Sequence, residues 1–335
     1  MEQRPLGRTG IRVPVLTLGT MTFGMQCDEA TSFAILDRAM EAGIDFLDTA
    51  DVYPLAGGLD RVGTTEEIIG RWMASRGARE QILLATKCRG PMAAKPNSGG
   101  LSRYHIQRAV EASLRRLGTD VIDLYQTHFF DLHTPIDETL RALDDLVRQG
   151  KVRYVGCSNY PAWRLAEALG VAEHHGLARY ETVQPRYNLL YREIETELLP
   201  LARSAQVGVL VYNPIAGGML SGKYRPDQNP EEGTRFTLGG AGVVYQKRYW
   251  DQVQLEAVAA LSDQARERGY SLASVAVAWV LAQAGITSAI VGASRPEQLE
   301  ATVAGADLQL DEDLQRACDE VWWQLPRRPV ADGYR

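Results

Sequence analysis

Short apolar runs alternate with amphipathic stretches along almost the whole chain. The runs fall at 15–18, 44–47, 81–86, 121–127, 152–157, 182–184, 207–212 and 289–292. They are continuous rather than alternating, the pattern of strands buried on both faces of a parallel sheet. Between them lie segments with helical spacing. Asp28 caps one carrying Ile35, Leu36, Ala39 and Met40, and Gly43 ends it. Thr64 and Glu67 form a capping box before Ile68, Ile69 and Trp72. Ser102 starts a helix with Ile106, Ala109, Val110, Leu114 and Leu117, and Thr134-Pro135 opens another through Leu140, Leu143 and Val147 to Gly150. Further helices are expected from Pro161 to about residue 176, near 194–204, at 255–268, at 271–284, from Pro296, and at 311–322. Residues 4–6 and 12–13 pair as a small hairpin around Gly7 and Gly10. Residues 213–250 read as one long loop, and an irregular tail ends the chain.

Strand–helix units recur at roughly 30–45 residue intervals, which leaves a (β/α)8 TIM barrel or a doubly wound sheet. No GxGxxG follows the first strand, which weighs against the second. With no low-complexity linker and no charge block, residues 1–335 read as a single domain with an N-terminal hairpin, extended loops and a C-terminal helix. The formal net charge of -6 argues against a general nucleic-acid binder. No run approaches the ~20 apolar residues of a membrane span, the nearest being 272–282, and the N-terminus lacks the apolar core of a secretory signal. Cys27, Cys88, Cys157 and Cys318 lie far apart without a CxxC. They read as reduced thiols of a cytoplasmic protein, with no structural metal site.

The chemistry lies where the strands stop: Asp48, Lys87, His128, Ser158-Asn159, Gln184 and Tyr212-Asn213. Each alone has an ordinary reading as a cap, a surface charge or a loop residue. In a barrel, however, all these ends converge on one face, where barrel active sites lie. Tyr53, five residues beyond Asp48, is a slow acid at an unperturbed pKa of about 10. An adjacent Lys87 ammonium would lower that value, Asp48 would hold the lysine charged, and His128 would orient a carbonyl oxygen. The set contains a proton donor and an electrostatic clamp but no electron source, so a hydride must come from a cofactor.

The stretches GIDFLDTADVY, LLATKC, DLYQTHFFD, GKVRYVGCSN, ETVQPRYNLL and IVGASRPEQLE carry a resemblance over nearly the whole length. The chain resembles the aldo-keto reductase superfamily, TIM-barrel carbonyl reductases that use NADPH. The resemblance implies a catalytic tetrad of Asp48, Tyr53, Lys87 and His128. It further implies that Ser158, Asn159 and Gln184 hold the nicotinamide carboxamide, that Tyr212 stacks on its ring, and that Gly19, Thr20, Met21 and Asp48 line the cofactor. Asn213, Pro214 and Ile215 would continue that lining. The run GGMLSGK at 217–223 matches GxxxxGK, but Tyr224 stands where a P-loop needs Ser or Thr, so an NTPase is rejected. Its amides and Lys223 suit a pyrophosphate, and Arg235 would add a second positive charge. By the same resemblance Gly292, Ser294, Arg295 and Gln298 take the adenosine end, with NADP(H) favoured and NAD(H) possible. Relatives usually carry Glu then Asn a few residues on; here Ala301 and Thr302 stand there.

The partner implied is a small-molecule carbonyl compound, neither nucleic acid nor membrane; oligomeric state is not legible. Loops 54–63, 88–100, 129–133 and 214–250 would shape the substrate pocket, with Phe129 and Phe130 as walls. Trp322 and Trp323 read as helix packing ahead of a pocket role, and Cys88 as a buried, inert thiol. Two alternatives stand beside the reductase. One is a cofactor-sensing accessory subunit, as the run GGMLSGKY is shared with a channel-associated branch as well as with bacterial sugar and aldehyde reductases. The other is a cofactor-free isomerase or aldolase with Lys87 as a Schiff base.

Overall fold

The structure, a computed structural model of the chain, describes residues 1–326. Strands β1 (Gln3–Pro5) and β2 (Arg12–Pro14) pair antiparallel as the expected hairpin. Eight parallel strands then close on themselves: β3 (Leu16–Gly19), β4 (Phe46–Asp48), β5 (Leu83–Cys88), β6 (Ile122–Thr127), β7 (Val152–Ser158), β8 (Tyr180–Gln184), β9 (Gly208–Tyr212) and β10 (Ser288–Gly292). The fold is the (β/α)8 barrel, and β10 closes it by pairing with both β3 and β9. Around it run α1 (Glu29–Glu41), α2 (Thr64–Arg76), α3 (Arg103–Leu117), α4 (Ile136–Arg148), α5 (Ala162–His175), α6 (Leu198–Ser204), α7 (Gly239–Tyr249), α8 (Gln252–Glu267), α9 (Leu272–Ala282), α10 (Gln298–Asp307) and α11 (Glu312–Gln324).

The barrel interior is built in layers. Leu6 and Val13 of the hairpin close one end, and Phe46, Ala85, Leu124, Leu210 and Ile290 fill the space above them. Side chains repeat on one face of a strand every second residue. Two positions further along the same strands therefore stand Asp48, Lys87, Gln126, Tyr212 and Gly292. The lining turns from apolar to polar in one step, at the C-terminal mouth. Burying an ion costs several kcal/mol, the scale of two or three core side chains at about 1.5–3 kcal/mol each. A barrel with this much apolar packing, Trp72 and Trp279 included, carries that cost. The hairpin turn needs Gly7, which has φ +58° and where a Cβ would meet Glu181 O at 2.6 Å.

Two local expectations are corrected. The capping box at Thr64–Glu67 does not form: Gly63 is the N-cap, at φ 90° and with no side-chain cap bond, and Thr64 is already helical. The Arg116 side chain crosses there, 2.5 Å from where a Cβ on Gly63 would sit. The long loop contains α7, hidden by the glycines at 239, 240 and 242, which disfavour helix. Tertiary packing overrides that propensity: Tyr245 and Tyr249 are buried in the core, beside an aromatic cluster in which Phe236 meets Trp250 at 4.9 Å. All four cysteines are free and buried. Burial pushes the Cys27, Cys88 and Cys157 thiols up and Cys318 to about 12, so Cys88 is the inert thiol expected. Among the described residues no helix is long and apolar enough to cross a membrane. The expected irregular tail, from residue 327 on, lies outside the described residues.

Candidate active site at the barrel mouth

Asp48 is the hub of the polar layer. Lys87, wholly buried, donates from Nζ to Asp48 Oδ2 at 2.5 Å and to the Thr49 carbonyl at 2.8 Å. Gln184 Nε2 and Gln126 Nε2 donate to the other carboxylate oxygen at 2.8 and 3.1 Å. Thr20 fixes the backbone below, its Oγ1 donating to the Asp48 carbonyl at 3.0 Å. An ion pair out of water is tolerable when most of its remaining hydrogen bonds are filled, and here both carboxylate oxygens and two ammonium donors are. Burial still pushes the Lys87 pKa down, against Asp48, which holds it up. Gln126 was not anticipated. A polar residue inside the apolar run of β6, in register with Lys87, was the signal for it.

Tyr53 and His128 stand beside this pair. Lys87 Nζ lies 5.2 Å from the Tyr53 ring centroid, and the Tyr53 and His128 rings meet edge-on at 5.8 Å. The expected lowering of the phenol's pKa is corrected. Burial first, then the charges of Asp48 and Tyr245, push it well above the ordinary value, and Arg235 is the leading cation opposing them. Burial outweighs the nearby cations, and the ammonium faces the ring while bonding to Asp48 and Thr49. Burial, then Lys87 and Arg89, hold the half-buried His128 well below the usual imidazole value. Near neutrality the pair is therefore an un-ionised phenol and a neutral imidazole.

The next strand ends are tied into one network. Ser158 Oγ donates to the Gln184 carbonyl at 2.9 Å, and Asn159 Nδ2 donates to the His128 carbonyl at 3.0 Å. The Tyr212 hydroxyl donates to Asn159 Oδ1 at 2.7 Å. Ser158-Asn159 is not a helix cap: α5 has Pro161 at its N-cap and no side-chain cap bond. Asn159 and Asn213 both hold φ 58°, a conformation that Asn tolerates better than most residues. Gly19 has a structural purpose, since a Cβ there would meet Ile290 Cγ2 at 2.7 Å across the β3–β10 pair. Gly292 sits opposite, in register with it.

Pro214 and Ile215 lead into a short 3-10 segment, Ala216–Ser221, with left-handed Gly217 and Gly218 inside it. It does not run from a strand straight into an α-helix, as a P-loop would. Lys223 is exposed and pairs with Glu231 at 3.5 Å. Arg235 folds back over the mouth instead, with Nη1 3.7 Å from Met21 Sδ and 3.5 Å from the Tyr245 hydroxyl. Tyr245 is a second residue the sequence did not flag, and it also accepts from Asn213 Nδ2 at 3.2 Å. Nothing in the weakly periodic stretch around it gave a signal.

Beyond β10 the groups are looser. The Ser294 amide and hydroxyl donate to Gln298 Oε1 at 2.8 and 3.2 Å, and Arg295 is exposed. Thr302 turns inward, donating to the Leu299 carbonyl. Trp322 packs on the core, while Trp323 is exposed. A cavity of about 760 Å³ lies outside the barrel, lined by Lys95, Tyr104, Arg108, Arg116 and Lys151 among others. It holds none of the strand-end residues, and two of its cations are paired, Arg116 with Glu66 and Lys151 with Glu111. The strand-end side chains gather at the mouth instead.

The model of the Aldo/keto reductase family matches residues 15–322. An uncharacterized oxidoreductase of Bacillus subtilis, YrpG, is 43% identical, covering 96% of each chain. A probable voltage-gated potassium channel subunit beta of Arabidopsis thaliana is 34% identical over 100% of both chains. The norsolorinic acid reductase stcV of Emericella nidulans is 35% identical, over 93% of this chain and 79% of its own.

Proposed function

Because the chain belongs to the aldo/keto reductase family, we propose that it is an NADPH-dependent reductase of small aldehydes, ketones or sugars, with Tyr53 as the proton donor. The observation that carries this reading is an un-ionised Tyr53 beside a neutral His128, above a wholly buried Lys87–Asp48 pair. Together they form a donor and a fixed field at the one end of the barrel where strand-end side chains converge.

The residues fit a nicotinamide dinucleotide. The backbone after β9 holds left-handed φ values at Asn213, Ala216, Gly217 and Gly218, the kind of irregular turn that presents amides to an anion. A Cβ on Gly218 would meet nothing within 4 Å, so that turn borders open space. In this reading Ser158, Asn159 and Gln184 hold the carboxamide, and Tyr212 stacks on the ring. Gly19, Thr20, Met21, Asn213, Pro214 and Ile215 line it, Lys223 and Arg235 meet the pyrophosphate, and Gly292, Ser294, Arg295 and Gln298 take the adenosine end. The bound cofactor supplies the hydride. The protein's own part is to orient and to protonate. His128, as a neutral donor, fixes the carbonyl oxygen toward Tyr53. The phenol keeps its proton until that oxygen becomes an alkoxide, a stronger base than phenolate, and then releases it. Arg235, the leading cation acting on that phenol, would offset the charge of the phenolate left behind, with the Asp48-pinned Lys87 facing its ring. The protein is proposed to work in the cytoplasm as one catalytic unit, with NAD(H) the weaker cofactor. An accessory subunit that senses cofactor without turnover ranks below this, because the donor cluster is complete.

Fluorescence titration with NADPH and NADH, followed by an aldehyde and ketone panel, tests the reading. Tyr53→Phe is expected to bind NADPH as the wild type does while losing reduction. Unchanged NADPH oxidation by the variant overturns it.

A further inference from the structure

Arg89, a cation at the mouth, has no ion-pair partner among the described residues. Arg89 follows directly on β5, and its guanidinium lies 5.8 Å from the Phe129 ring centroid. Phe129 in turn stacks on His128, with centroids 5.5 Å apart and planes 26° apart. Guanidinium, phenyl and imidazole thus form consecutive layers leading to the group that orients the carbonyl. Arg89 Nε is buried with no hydrogen-bond partner, and no ion pair to Arg89 occurs among the described residues. The acid that feels its charge, Asp131, is occupied elsewhere. Its oxygens accept from the Leu101 and His133 amides and the Thr134 hydroxyl at 3.0, 2.9 and 2.8 Å.

The loop is also built to hold this position. Arg89 keeps φ 133°, outside the comfortable range of a side-chain-bearing residue. Its carbonyl accepts from Gly100 N–H at 2.8 Å, and a Cβ on the next residue, Gly90, would sit 2.3 Å from Val52 Cγ1. The Arg89 turn is therefore wedged against the segment that carries Tyr53. A half-buried guanidinium with an unfilled Nε, held by an aromatic face instead of an acid, still wants a planar anion.

We infer that Arg89 is a specificity-determining residue that binds a carboxylate on the substrate, so that the preferred substrates are aldehydes or ketones bearing an acid group. This rests on the reductase reading for its substrate, but its test separates the two. Reduction of 4-carboxybenzaldehyde is compared with that of its neutral methyl ester by wild type, R89K and R89Q, with NADPH. In the wild type the ratio of kcat/KM favours the acid. In R89Q that ratio falls at least about tenfold, as expected for losing a charge-assisted hydrogen bond, mainly through KM, and R89K restores part of it. A merely structural role would lower both substrates alike and leave the ratio unchanged, which overturns the inference. Calorimetric binding of terephthalate, which cannot be reduced at a carbonyl, gives a readout without turnover. Tenfold weaker binding to R89Q with no aldehyde reduced by any form keeps the anion site and removes the reductase reading. Equal affinity for the two forms removes the anion site whatever the turnover.

Discussion

The two ends of the proposed cofactor groove are built differently. At the catalytic end, Lys87 and Asp48 are buried in barrel strands, with both carboxylate oxygens and two of the three ammonium donors bonded before anything arrives. At the adenosine end, the Gln298 side chain accepts from the Ser294 amide and hydroxyl, and Arg295 is exposed. One end is part of the core, where a change disturbs folding and chemistry together. The other is a surface whose residues are free to turn toward a ligand. On the proposed reading, preorganisation is concentrated where the transition state would form, and cofactor binding is left to side chains that cost the fold little.

Substitutions that treat the two ends alike test this contrast. The largest effect is expected from Tyr53→Phe, which removes the general acid: kcat/KM for aldehyde reduction should fall by about 10²–10⁴, with NADPH affinity and melting temperature held. Lys87→Met comes next. It strands Asp48 as an unpaired buried charge, and urea unfolding should show a loss of about 3–5 kcal/mol together with loss of turnover. Arg295→Ala should do the reverse, weakening NADPH binding by roughly tenfold while the urea midpoint stays where it was. If Lys87→Met unfolds no more easily than Arg295→Ala, the division between core and surface fails.

The smallest effect concerns pH. His128 and His105 both have pKa values depressed, by burial first and then by nearby cations. The stability tied to their neutral forms is fully present above the ordinary value of about 6.5 and is lost as the pH falls below it toward the depressed values. Urea midpoints at pH 7.5 and 5.5 should therefore diverge. His128→Gln and His105→Gln should each narrow the gap, whereas Arg295→Ala should leave it unchanged.

Much of this was legible in the residues. The apolar runs located the barrel strands, and Asp48, Lys87 and His128 were visible because a charge or an imidazole interrupts an apolar run at its end. Gln126 was passed over because an uncharged amide inside DLYQTH looks like strand, and only register places it against Asp48. The direction of the Tyr53 shift could not be read, since it depends on how deeply the ring is enclosed and where the ammonium spends its bonds. α7 and Tyr245 were lost because glycine-rich sequence argues against the helix that tertiary packing imposes. Gly19 was read as cofactor lining, and its lack of a side chain is also required by Ile290 on the neighbouring strand.

The hairpin has a kinetic corollary. With Leu6 and Val13 sealing the floor beneath a packed interior, the mouth is the open end of the barrel. On the proposed reading, cofactor and substrate would share that threshold, and the deeper guest would arrive first and depart last. Traffic through such a cul-de-sac is a queue, which initial-rate kinetics would display as a compulsory sequence of arrivals.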